Sequence, residues 1–94
     1  TIDEEITFKI QILTSSSPLT KSDKRLKGLK NVDCYKEGGL YKYTYGASPN
    51  YNKVLQTKRS ITDKFKDAFI IAFRNGEKMN INAAIAEFKE KRNK

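Results

Sequence analysis

From Ile6 to Ile12 apolar and polar residues alternate strictly, with Ile6, Phe8, Ile10 and Ile12 set against Thr7, Lys9 and Gln11. A period of two predicts a half-buried strand whose polar side faces away from the core. Thr14-Ser-Ser-Ser-Pro18 breaks that pattern into a loop, and Lys21 to Lys30 follows as a basic segment with Leu26 and Leu29 three apart. The spacing predicts a short, weak helix ending near Gly28. Val32 to Glu37 and Leu40 to Tyr45 flank Gly38-Gly39, a pair suited to the positive φ angles of a tight hairpin turn. Tyr41, Tyr43 and Tyr45 share one face of the second hairpin strand and are assigned to the core, which leaves Lys42 and Thr44 on the other face.

The second half of the chain is helical in period and then apolar. Ser48 and Pro49 suit an N-cap and a first helical position. Tyr51, Val54, Leu55, Ile61 and Phe65 then mark one face of a helix running to about Lys66. The run Ala68 to Phe73 has strand length and suits a strand covered, at least in part, on both faces, closed by Asn75-Gly76. Asn80 is placed to cap a last helix, about 81–92, striped by Ile81, Ala84, Ile85 and Phe88. The order is βαββαβ plus a C-terminal helix. It predicts an α+β, RNP/ferredoxin-like, four-stranded antiparallel sheet with helices on one face and strands one and three central. Residues 1–5, Thr-Ile-Asp-Glu-Glu, read as a linker remnant, and 6–94 as a single domain.

Composition narrows the function more than the fold. The 94 residues carry 19 Lys plus Arg against 11 Asp plus Glu, a net charge of +8 that favours an anionic partner. With no His, the commonest general base and metal ligand are missing, so neither catalysis nor a metal or other cofactor is expected of this domain. The one cysteine, Cys34, allows no internal disulfide and is expected as a small buried residue in its strand. No apolar run approaches the ~18 residues of a membrane span.

Three stretches in order, Phe8-Lys-Ile-Gln-Ile12, Leu40-Tyr-Lys-Tyr-Thr-Tyr-Gly46 and Phe65-Lys-Asp-Ala-Phe-Ile-Ile71, resemble the first, third and fourth strands of a SPOR domain. The likeness spans roughly residues 6 to 74 and is nearest to the SPOR-like C-terminal module of bacterial N-acetylmuramoyl-L-alanine amidases. The resemblance implies a periplasmic or cell-envelope module that binds peptidoglycan glycan strands lacking stem peptides and brings a cell-wall hydrolase to the septum. Zinc and catalysis would then belong to another domain of an amidase parent. It also implies that Gln11, matching the family's first-strand Gln, lies on the ligand face. The family's Gly-Ser/Ala-Phe after the first strand is Leu13-Thr-Ser-Ser-Ser here, and its third-strand Arg is Lys42.

Peptide-free glycan exposes a lactyl carboxylate on every second sugar, so it calls for lysines beside amides and hydroxyls. The expected glycan-binding set is Lys9 and Gln11 on the first strand, Lys42 and Thr44 on the third, and Ser15 and Ser16 in the edge loop. Either Asp33, Tyr35 and Glu37 or the alternate residues of the second strand join them, depending on register. Tyr35 is the one phenol expected on display. The alternatives are an RNA-binding RNP-type module, whose aromatic third-strand signature is absent, and a protein-docking domain. Nucleic acid is accordingly not the expected partner, and a monomer is the expected state.

Overall fold

The computed structural model describes residues 6–20 and 22–92, with side chains to residue 90; the expected linker remnant, 1–5, lies outside them. Its centre is a ten-residue strand, β1 (Ile6–Ser15). Around it lie β2 (Asp33–Glu37), β3 (Leu40–Ser48), β4 (Phe69–Arg74) and a short β5 (Glu77–Met79). They form one antiparallel sheet in the order β2-β3-β1-β4-β5. Two helices, α1 (Tyr51–Ile61) and α2 (Ile81–Arg92), complete an α+β fold in which β1 and β3 are interior strands.

The sheet has five strands among the described residues, where four were expected. Asn75 and Gly76 both adopt positive φ, 52° and 79°, and the chain turns back to pair Arg74 with Glu77 and Phe73 with Lys78. That is the backbone a two-residue hairpin turn of the primed type requires, and Asn-Gly favours it strongly. Gly38 and Gly39, at 61° and 78°, make the equivalent turn between β2 and β3.

The first expected helix is reduced to a single 3-10 turn, Lys24–Leu26. Asp23 caps it by accepting from the Arg25 amide at 2.8 Å, but Lys27 already sits in the left-handed region at φ 51°. Leu26 is the one buried side chain of the turn, so there is no apolar stripe for a longer helix to bury. The second helix also starts later than expected. Ser48 is still in β3, and its hydroxyl accepts from the Asn50 amide at 3.1 Å. Asn50 is the cap, accepting from the Lys53 amide at 3.2 Å, and the helix stops at Ile61 rather than near Lys66. Asn80 caps α2 in the same way through the Ala83 amide at 3.1 Å.

Both helices cover the same side of the sheet. The Phe8 ring, fully buried, makes edge contacts with Tyr51 of α1 at 5.2 Å and Phe88 of α2 at 6.0 Å between centroids. Arg74 of β4 pairs with Glu87 of α2 on this side. Ile6, Ile10, Val54, Ile61, Ala72 and Ala84 fill the core between the layers. Of the three strand tyrosines, Tyr43 is buried and Tyr41 and Tyr45 pack half-buried against that core. The Tyr43 hydroxyl accepts from the Leu19 amide at 2.7 Å, which satisfies its polar end.

The opposite side of the sheet is concave because two bulges bend its interior strands. Between Phe8 and Ile10 the partner strand β3 advances from Ser48 to Tyr45, one residue too many, at Gly46-Ala47. Between Gln11 and Leu13 the extra residue is Ile12 of β1. A bulge bends its strand and adds right-handed twist. Gly46 lies at φ 75°, and a Cβ there would stand 3.0 Å from Thr57 Cγ2 and 3.3 Å from Ile10 Cδ1. Glycine is needed at this position both for the left-handed backbone and for the close approach of α1.

Candidate functional site on the concave face

Directly opposed residues of antiparallel strands share a face, so the pairing assigns the concave face strand by strand. Gln11 lies between Thr44 of β3 and Phe69 of β4, Lys9 faces Ile71, Thr7 faces Phe73, and Phe73 faces Lys78 of β5. On the other flank Thr44 faces Asp33 and Lys42 faces Tyr35. The register therefore selects Asp33, Tyr35 and Glu37 for this face. Lys9, Gln11, Tyr35, Lys42 and Thr44 are brought together on it.

Ser15 and Ser16 are not part of that group. Past the Ile12 bulge β1 changes phase relative to β3, and Ser15 pairs with Tyr41 on the helix side. Ser15 is buried, and its hydroxyl donates to the Ser17 carbonyl at 2.7 Å while accepting from the Ser17 amide at 3.2 Å. Ser16 is exposed at the start of the loop.

The concave face has a closed floor and an ionic rim. Gln11 is only 7% exposed and Thr44 only 1%, so neither is displayed to a ligand in this conformation. The Gln11 carboxamide accepts from the Tyr35 hydroxyl at 2.9 Å and donates to Thr14 Oγ1 at 3.3 Å. Tyr35, expected as the displayed phenol, is half-buried: the curl of the sheet brings its ring edge-on to Phe73 at 5.3 Å. Lys9 Nζ stands over the same Phe73 ring, 4.9 Å from its centroid. Phe69, by contrast, is 48% exposed near one end of the face.

At the rim, Glu37 of β2 reaches across to both flanks. Its Oε1 accepts from Lys42 Nζ at 2.5 Å and lies 3.4 Å from Lys78 Nζ. The Lys42 hydrogen bond, with the Lys78 charge behind it, holds the Glu37 carboxyl below the usual carboxylate range. The same bond raises the Lys42 ammonium above the usual lysine value. Lys78 and Phe73 are the site residues that the sequence reading did not select. The signal for Lys78 was Asn75-Gly76, which turns Glu77–Met79 back as a strand and sets Lys78 opposite Phe73. For Phe73 it was parity with Ile71 in a run covered on both faces.

A second concavity lies on the helix side, where the first crossover helix was expected. The loop and 3-10 turn leave a cleft of about 700 Å³ walled by Leu19, Leu26, Leu29, Val32, Tyr41 and Tyr43. Cys34, which also lines it, is exposed rather than buried. An edge strand with no helix packed over its outer residues leaves that thiol uncovered.

Among the described residues no three His, Cys, Asp or Glu side chains cluster as a metal site, and no helix is long and apolar enough to cross a membrane. No family model matches the chain, and neither a curated protein nor a solved structure matches it significantly.

Proposed function

We propose that this chain is a SPOR-like, non-catalytic module that binds peptidoglycan glycan strands stripped of stem peptides and so holds a cell-wall hydrolase at the envelope. The observation that carries the reading is the packing of both helices against Phe8, which leaves the concave face free of helix where Lys9, Gln11, Tyr35, Lys42 and Thr44 converge. The strand order β2-β3-β1-β4 suits an RNP-like βαββαβ plan, with the first helix shrunk to a turn and β5 added at one edge. On this reading the hydrolase is an N-acetylmuramoyl-L-alanine amidase whose zinc sits in another domain, and the setting is the periplasm.

Gln11 and Thr44 order the floor in this arrangement, while the lysines meet the ligand. Lys9 and Lys42 supply charge to the lactyl carboxylates, and Tyr35 offers a half-buried ring edge beside them. Charge pairing at an exposed surface is screened by salt, so retention falls as ionic strength rises.

The test is sedimentation of the protein with intact and amidase-treated sacculi. Greater retention on the treated sacculi, lowered by Lys42→Ala in a protein that stays folded, is the expected result. Equal retention on both, or tighter binding to short RNA, overturns the reading.

A further inference from the structure

The Glu37 carboxylate is held by ammonium groups from two other strands, Lys42 of β3 and Lys78 of β5. β2 and β5 are the two edges of the sheet, so this contact spans the concave face from rim to rim. We infer that Lys42 and Lys78 form a carboxylate-binding subsite, and that Glu37 is an internal anion which a carboxylate-bearing sugar displaces. The inference rests on the proposed glycan reading and adds to it a cation on the fifth strand and a built-in competitor.

Three features support the exchange. The side chains of Glu37, Lys42 and Lys78 are 43%, 19% and 36% exposed, so solvent and ligand reach all three. An ion pair this exposed is weakly held, and replacing one carboxylate by another leaves the charge of the site unchanged. Glu37, once released, returns to water without being buried unpaired. The neighbouring groups also suit a sugar acid. Lys9 adds a third ammonium above Phe73, and Tyr35, paired with Lys42, borders the subsite with an aromatic edge for sugar C–H groups. No carboxylate among the described residues is within ion-pair distance of Lys9, so releasing Glu37 leaves three cations facing the incoming anion.

The experiment measures binding of wild type, Glu37→Gln, Lys78→Gln and Lys78→Arg to two soluble probes: peptide-free glycan strands and N-acetylglucosamine oligomers, which lack the lactyl carboxylate. Amide spectra establish that each variant is folded. Glu37→Gln is expected to bind the peptide-free glycan about two- to fivefold tighter, the scale of one exposed ion pair. Lys78→Gln is expected to bind it more weakly by a similar factor, with Lys78→Arg restoring binding, and the uncharged oligomer should not discriminate among the proteins. If wild type binds glycan but Glu37→Gln and Lys78→Gln bind it equally well, the subsite is overturned and the glycan reading stands. The subsite is also overturned if Glu37→Gln gains equally for the uncharged oligomer. Failure of both wild type and Glu37→Gln to bind peptide-free glycan overturns both.

Discussion

On the helix side of the sheet Phe8 lies against Tyr51 and Phe88, whereas on the concave side Tyr35 lies against Phe73 and donates to Gln11. The first side is centred on an apolar layer in which Ile10, Val54, Ala72 and Ala84 meet, with its polar groups, such as the Tyr43 hydroxyl and the Arg74–Glu87 pair, set around it. The second mixes aromatic rings with a buried amide, a buried hydroxyl and an ionic rim. Apolar burial is strong and non-directional, while each polar contact adds little net stability but fixes one geometry. The helix side is thus suited to hold the fold, and the concave side to fix the geometry of individual side chains.

Truncating the helix side should have the largest effect. Phe8→Ala removes the ring that both helices share and leaves a cavity in a close-packed layer. A loss of about 3–5 kcal/mol in urea unfolding is expected. A loss no larger than that of a concave-face truncation would show that the two sides share the load equally.

Gln11→Ala should cost less, about 1–3 kcal/mol, because it leaves the Tyr35 hydroxyl without its acceptor. Adding Tyr35→Phe removes the orphaned donor and should recover part of that loss. Additive losses in the double variant, measured by the same unfolding method, would place the Tyr35 hydroxyl outside the floor network.

The smallest effect is expected at the rim. Glu37 titrates below its ordinary value of 4.5 because Lys42 hydrogen-bonds the charged form. A carboxyl depressed on folding contributes stability above its unfolded pKa, and that contribution is lost as pH falls through the lower folded value. Lys42→Ala should therefore move the Glu37 side-chain titration, followed by carbon-detected NMR, upward toward 4.5. No movement would mean that the rim pair is not formed in solution.

The two crossovers also differ in a way that shows what local pattern can do. Between β3 and β4, Val54 and Ile61 lie one helical repeat apart beneath half-buried Tyr51 and Leu55, and α1 forms. Between β1 and β2, Leu26 and Leu29 stand among lysines, and the chain settles for a 3-10 turn and an open cleft. Periodicity found the first helix but set both of its ends too wide, and it overestimated the second, because two leucines cannot offset the ordering of even a short helix.

By itself the sequence determined four of the five described strands, the Gly38-Gly39 turn, the capped C-terminal helix and the inward phase of Tyr43, since each depends on residues adjacent in the chain. It also determined which side of their strands Lys9, Gln11, Lys42 and Thr44 occupy. Only the tertiary structure decided what that side became. The bulges at Gly46-Ala47 and Ile12 curl the sheet, bury Gln11 and Thr44 and turn Ser15 to the other face. They also bring Glu37 within reach of Lys78, 41 positions away. Strand periodicity records which face a side chain takes, whereas bulge placement and curvature arise from pairing between strands and determine which faces meet.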